Sequence, residues 1–399
     1  MTTHYQKIQA LGNRMAENLT IMGVPSQFDE GGLTLADKIL EISSGITTGL
    51  LLYGDKKVAQ SGDTVNLSMM VLEDGEFKPN TNVILHETIL DKTYSTHSFI
   101  SKSIGDNWVI EGPFENIISS SDTLGTTITA WGNGKLTVNV GGSTVYHDNE
   151  AGSISKISYI NKILSYNNKT VDLTEYNASF NVLSNVNAGR IIVKTAYVLT
   201  TDTHGLATHA YTCSGSGLKE FYATSGTFVS EPCNVWDTLF YDNGGTSVDK
   251  WDTNKSGGLV ITYPNNEYTN IANTNVTVTN QSYLSSPNNI SGDIEVLIEV
   301  NIPLYRGNVG QYFGFRNWTL GKQTLWRATQ TGWRYYKVQR INGEWTGYVK
   351  ANLSDEWTSI NPQYNVLTEN EDVVFCFTIY NPTTDTHEIG FKNLKIYSI

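Results

Sequence analysis

Five of the nine tryptophans in this 399-residue chain, Trp318, Trp326, Trp333, Trp345 and Trp357, fall within forty residues of one another. Arg316, Arg327, Arg334, Tyr335, Tyr336 and Tyr348 lie among them. Indole and phenol rings stack on the apolar faces of sugar rings, while Arg, Asn and Gln hydrogen-bond sugar hydroxyls. Trp318, Trp326, Trp333, Trp345 and Trp357, with Arg316 and Arg334, are therefore candidate carbohydrate-binding residues. Aromatic side chains also dominate protein cores and subunit interfaces, so the same block fits a packed interior.

The stretch DIEVLIEV carries the carboxylates best placed for catalysis. On a strand, Asp293, Glu295 and Glu299 share one face, and Ile294, Val296, Ile298 and Val300 the other. Retaining glycoside hydrolysis uses two carboxyl groups about 5–5.5 Å apart, and residues i and i+2 of a strand lie roughly 6.5–7 Å apart. The spacing resembles that of concanavalin-like glycosidases, whose pattern also implies an acid where this chain has Leu297. The alternative is a solvated strand face above a buried one, and no enzymatic activity is expected. There is no HExxH, nucleophile elbow or phosphate-binding loop.

Other chemistry is thinner. His204 and His209 flank the start of an expected strand without a cysteine or acid at catalytic spacing, which fits turn and surface roles. YDNGG at 241–245 and Asp249 offer oxygen ligands to a structural calcium ion, or make a plain turn. No other cofactor is expected. Cys213, Cys233 and Cys376 lack metal-ligand spacing and read as reduced thiols. A net charge of −12 argues against a nucleic-acid partner. The balance is uneven: residues 301–399 hold ten Lys/Arg against eight Asp/Glu. No secretory signal is expected at the N-terminus, and no run of 18 apolar residues suggests a membrane span.

The elements that position these residues are mostly strands. Only 1–45 reads as helical: Ile8, Leu11, Met15, Leu19 and Met22 make one stripe, and Leu35, Ile39 and Ile42 a second. Two such short helices need a partner to cover them. From residue 46 the period is two. TVNLS at 64–68 matches TVDLT at 170–174, and SDTLGTTITAW at 121–131 matches TDTHGLATHAY at 201–211. The two spacings differ, so the first copy carries an insertion. After Pro232 the pattern changes, with a hairpin at KVQRINGEWTGYV turning on Asn342-Gly343.

Residues 152–232, with ILSYNNKTVDL, NVNAG, TDTHGLATHAY and FYATSG, resemble bacterial immunoglobulin-like domains of the invasin and intimin type. The opening ALGNRMAENLTIMGVPSQFDEGGLTLADKILEI resembles leaders of structural proteins of tailed viruses, in which immunoglobulin-like modules and a concanavalin-like or jelly-roll end follow. The resemblance implies a mainly β protein in four parts: a helical attachment segment at 1–45, an immunoglobulin-like sandwich with an insertion at 46–151, a second at 152–232, and a jelly-roll lectin-like domain at 233–399. It further implies a fibre-type adhesin on the virion surface, bound to other virion proteins through its helices and to host glycan through its C-terminal domain. A homo-oligomer, with a trimer as the common fibre solution, is expected. A purely architectural virion protein and, third, a polysaccharide depolymerase using Glu295 or Glu299 are the alternatives.

Overall fold

The computed structural model describes residues 48–399 except 113–116, 120–124, 132–133, 177, 187, 245–250, 252–258, 274–281, 287–288, 304–309, 366, 368–370 and 381–386. The helical segment expected at 1–45 lies outside the described residues. The described chain is mainly β, and its one helical element is a short 3-10 turn at Pro264–Asn266.

The chain divides into two compact units. Among the described residues the first comprises 48–57, 65–211 and 219–235, and the second 58–64, 212–218 and 236–399.

In the first unit, one run of antiparallel strands holds Lys169–Asp172, Ile163–Tyr166, Lys156–Ile160, Trp108–Glu111, Gly189–Thr200 and Asn82–Tyr94, in that order. A second sheet holds Ser143–Asp148, Lys135–Val140, Thr127–Trp131, Ile117–Ser119, Val182–Val186 and Ser98–Ser103. Between them lies a core of Trp108, Ile110, Ile128, Leu136, Tyr159, Leu164, Phe180 and Ile191, with the Trp108 indole donating to the Phe180 carbonyl at 2.5 Å. Strand 108–111 pairs with both 156–160 and 189–200, so residues on both sides of position 151 share this core. The repeat has a local structural basis. Gly125 and Gly205 both adopt φ +80, which favours glycine, just before the strands Thr127–Trp131 and Leu206–Thr212. On the strand Asn82–Tyr94, His86 stacks on Tyr222 at 4.5 Å and its Nε2 meets the Thr224 hydroxyl at 3.1 Å.

The second unit is a sandwich of two antiparallel sheets. The larger runs Leu259–Thr262, Thr269–Asn273, His387–Ser398, Ile294–Ile302, Gly332–Ile341, Glu344–Lys350 and Thr358–Ile360, with Phe240–Asp242 also paired to His387–Ser398. The smaller runs Ser282–Ser285, Val374–Tyr380, Gly310–Asn317, Lys322–Arg327 and Tyr364–Asn365. Their inner faces close on Val296, Ile298, Phe313, Phe315, Phe375, Phe377, Phe391 and Ile396. The rings meet mostly edge to face, and Phe377 and Phe391 stack at 4.4 Å. Buried Arg340 lines the rim of this core; its guanidinium donates to the Gly292 carbonyl at 2.5 and 2.8 Å and to that of Glu371 at 2.7 Å.

The early segments of this unit are tied in by one buried carboxylate. Asp237 accepts the Ser214 and Gly215 amides at 3.0 and 2.5 Å and the Ser216 hydroxyl at 2.9 Å, so the Ser-Gly-Ser-Gly loop curls around a charge. Val58–Gln60 runs parallel to residues 236–238 beside it.

Candidate functional site

The strand Ile294–Ile302 alternates strictly: Ile294, Val296, Ile298, Val300 and Ile302 are buried, while Glu295, Leu297, Glu299 and Asn301 are half-buried on the opposite face. Its neighbours are in register with it. Glu295 lies opposite Gln339 and Tyr397, Leu297 opposite Lys337 and Lys395, Glu299 opposite Tyr335 and Lys392, and Asn301 opposite Trp333. One strand further on, Lys337 faces Tyr348 and Tyr335 faces Lys350. Directly opposed residues share a face, so these side chains form one outward surface on the larger sheet.

Two of its lysines reach it through an irregularity. Lys392 and Lys395 are three residues apart, and on a regular strand they would point to opposite faces. A register shift opposite Leu297–Glu299 leaves room for the extra residue Asn393, whose φ of 52 is tolerated by asparagine. Both lysines then come out beside Ile294–Ile302.

Each lysine on this face lies over an aromatic ring. Lys392 Nζ is 4.6 Å from the Trp333 ring centre and Lys395 Nζ is 4.6 Å from that of Trp236. Lys337 lies 4.8 Å from Tyr348 and 5.3 Å from Trp357, and Lys350 lies 4.7 Å from Trp357. These distances are within cation–π range. Tyr268 meets Trp333 edge-on at 5.2 Å, and Gly390 makes room for it: a Cβ there would stand 3.0 Å from the Tyr268 ring.

The two glutamates are already engaged. Glu295 accepts the Gln339 amide at 2.5 Å and the Tyr397 hydroxyl. Glu299 accepts the Asn393 amide at 2.7 Å and pairs with Lys392 at 3.6 Å. Burial, then the hydrogen bond to Glu295 and that group's charge, push the Tyr397 phenol well above its ordinary pKa. Burial pulls Lys395 below its ordinary value, opposed by the charge of Glu299. Glu295 and Glu299 stand four residues apart on one strand, about 13 Å between Cα atoms. Hydrolysis by inversion uses carboxyl groups roughly 6.5–9.5 Å apart, and retention uses closer ones. Asp293 serves the hairpin, its carboxylate accepting the Asn342 amide at 2.8 Å.

The seven aromatic and arginine candidates do not come together. Trp333 and Trp357 belong to the lysine-bearing face. Trp326 is fully buried and Trp345 is 7% exposed, both inside the sandwich core at 6.1 Å from each other. These two are core residues and not ligand contacts, because Trp326 has no ring surface left for a sugar and Trp345 almost none. Trp326 sits against Gly347, where any Cβ would collide with the indole. Trp318 and Arg316 are on the smaller sheet: the guanidinium lies 4.3 Å over the Trp318 ring, which packs beside Tyr312 and Leu325. Arg334 reaches away from the lysine-bearing face, donating to Gln330 at 2.8 Å and to the Trp333 carbonyl at 2.7 Å.

Sequence reading passed over Trp236, Tyr268, Lys337, Lys350, Lys392, Lys395 and Tyr397. Asp242, considered for calcium, accepts the Gly244 amide at 2.8 Å and the Trp251 indole N–H, so its carboxylate closes a turn and anchors a core ring. Asp249 lies outside the described residues. Asp202 accepts the His204 and Leu206 amides at 2.8 and 3.0 Å, and His209 packs on Tyr197 at 4.1 Å.

No protein-family model matches the chain, and no curated protein does. Among solved structures it is similar to the GH43 protein BlXynB of Bacillus licheniformis, at 7% identity and a TM-score of 0.28, and to a point mutant of that protein at 7% and 0.29. It is also similar to a xylan beta-1,4-xylosidase of Bacillus halodurans, at 8% and 0.24. Each match covers 89% of this chain and 99% of the other. At such TM-scores the similarity carries neither fold nor activity to this chain. The expectations drawn from the viral resemblance find no support in these comparisons. None of these structures is a virion protein and no family model supports the resemblance; the tailed-virus family, the adhesin or fibre function with its architectural alternative, and the expectation of no enzymatic activity are withdrawn. The expected virion location and virion partners rested on that same resemblance.

Proposed function

We propose that the protein binds polysaccharide on the outer face of the larger sheet of its second unit. The observation that carries this is the group of half-buried rings: Trp333, Tyr335 and Tyr348, in cross-strand register with Asn301, Glu299 and Lys337, and Trp357 beside Lys337 and Lys350. Half-buried rings offer a flat apolar surface to sugar faces, and the neighbouring amides and ammonium groups offer hydrogen bonds to hydroxyls. A sheet supplies such a platform without reorganisation, because register fixes the spacing of the rings before ligand arrives. The two-sheet arrangement of residues 236–399 fits a jelly roll. Residues 48–57, 65–211 and 219–235 we read as one β body with interleaved strands, in which the immunoglobulin-like segment would share its core with the first copy.

Affinity electrophoresis of the full chain tests this, in gels containing neutral xylan, β-glucan or polygalacturonate, with a reducing-end assay on the same polymers. Retardation in at least one gel, lost in Trp333→Ala, is the expected result. Unretarded migration of the folded protein in every gel overturns the proposal. New reducing ends would add cleavage to binding, and Glu295→Gln and Glu299→Gln would then locate it.

A further inference from the structure

We infer that this face selects acidic polysaccharides, chains bearing carboxylate or sulfate groups; the inference rests on the polysaccharide reading above. Asp293, Glu344 and Glu388 stand towards the margins of this face, while at its centre four lysines, Lys337, Lys350, Lys392 and Lys395, stand against two glutamates, Glu295 and Glu299. Both glutamates are committed, one to Tyr397 and Gln339, the other to Asn393 and Lys392. The centre of the face thus carries an excess of positive charge on a chain whose net charge is −12.

The lysines are also arranged in rows. Lys337 and Lys395 flank Leu297 on opposite sides, two strand spacings apart, or roughly 9.5 Å. Lys350, Tyr335, Glu299 and Lys392 form the adjoining row, three spacings across, about 14 Å. Between the charges of each row lie an apolar or aromatic side chain and, in the second, a carboxylate already paired. A polymer crossing the strands meets ammonium, leucine and ammonium along the first row, and ammonium, phenol ring, paired carboxylate and ammonium along the second.

Lys337 is the most telling member. Its ammonium sits between the Tyr348 and Trp357 rings. A ring face balances only part of an ammonium charge and accepts none of its N–H bonds in the ordinary sense. An anionic group would supply what the rings do not, in charge-assisted hydrogen bonds. Lys395 is in a similar position beside Trp236, where burial already disfavours its charged form. Neutral sugars would stack on the same rings but leave these charges without a counterion.

Polygalacturonate and its fully methyl-esterified form share one backbone and differ in charge, and they make the test. With the full chain in low salt, Kd for polygalacturonate is expected to be at least about tenfold below that for the ester, the order of one charge-assisted hydrogen bond. The advantage should shrink as salt is raised. Lys337→Gln and Lys350→Gln should each remove most of it, lowering affinity for polygalacturonate by a larger factor than affinity for the ester. Equal affinity for the two forms, with both retained by Trp333, overturns the acidic selectivity and leaves the polysaccharide site standing. Binding of neither by folded protein overturns both. Binding of single-stranded poly(U) as tight as polygalacturonate, again lost in Trp333→Ala, would show that the face reads stacked bases and phosphates, and would also overturn the inference.

Discussion

The two faces of the larger C-terminal sheet are made from the same strands and differ in everything else. On the inner side Val296, Ile298, Val338, Trp345, Phe391 and Ile396 close against a second sheet. On the outer side Leu297 is the one aliphatic side chain of the central strand, and rings are separated by ammonium groups. Trp326 and Trp345 show what a tryptophan does when burial is its purpose. They sit at or below 7% exposure, with both indole N–H groups lacking a hydrogen-bond partner, so packing outweighs the lost hydrogen bonds. Trp333 and Trp357 are half-buried and lie under lysines. Ring count says little about function; the face on which a ring sits says much more.

That contrast can be broken experimentally, and the largest effect belongs to the core. Trp326→Ala removes a fully buried indole against Gly347 and should cost about 3–5 kcal/mol in urea unfolding. Its effect on polysaccharide affinity, measured where the variant remains folded, should be within twofold. A stability change below about 1 kcal/mol would contradict its place in the core. Arg340→Met comes next. It leaves the Gly292 and Glu371 carbonyls without their guanidinium donors and is expected to cost roughly 2–4 kcal/mol.

A pH effect of similar size belongs to the first unit. Burial, and then the charges of Lys194 and Lys156, pull the pKa of His86 down to about 4, opposed by Glu111. The unfolded chain therefore binds a proton near pH 6.5 that the folded chain refuses until about pH 4. Between those limits stability falls as pH falls, by up to about 1.4 kcal/mol per unit. His86→Gln should flatten that segment of the stability–pH curve, and an unchanged slope would show that His86 does not cause it.

Outer-face changes should do the reverse of Trp326→Ala. Trp333→Ala is expected to lower polysaccharide affinity about tenfold, or ~1.4 kcal/mol, while changing stability by less than about 1 kcal/mol. The smallest effect is Gly390→Ala. Its Cβ would press the Tyr268 ring from 3.0 Å, so a shift of a few tenths of an ångström and a cost of about 1 kcal/mol are expected, together with a change in Trp333 fluorescence.

Much of this arrangement is legible in the sequence. DIEVLIEV announces its two faces, and both match the structure. The Asn342-Gly343 turn forms, with φ of 51 and 80 at its two positions, and sets Ile341 opposite Glu344. That register also decides which tryptophans face outward. Arg340 lies opposite Trp345 and is seven residues from Trp333, an odd number, so Trp333 and Trp345 must face opposite ways. An inventory of aromatic residues hides this parity. The lysines were harder to read. Lys392 and Lys395 share a face only because of the irregularity at Asn393, and three-residue spacing on a strand argues for the opposite. Trp236 and Tyr268 come from segments far from the tryptophan cluster, and nothing local marks them as its neighbours. The repeat was legible as paired turns at Gly125 and Gly205, whereas the pairing of strand 108–111 with 156–160 and 189–200 depends on long-range contacts that no short window contains.

Hydroxyl-radical footprinting of the full chain, read by mass spectrometry with and without saturating polygalacturonate, tests the central claim most directly. Trp333, Tyr335, Tyr348 and Trp357 should lose reactivity together on binding. Trp318, on the other sheet, should keep its own, and Trp326 and Trp345 should be unreactive throughout. Protection centred on Trp318 and Arg316, or none at Trp333 and Trp357 while polymer is bound, would contradict the assignment of this face.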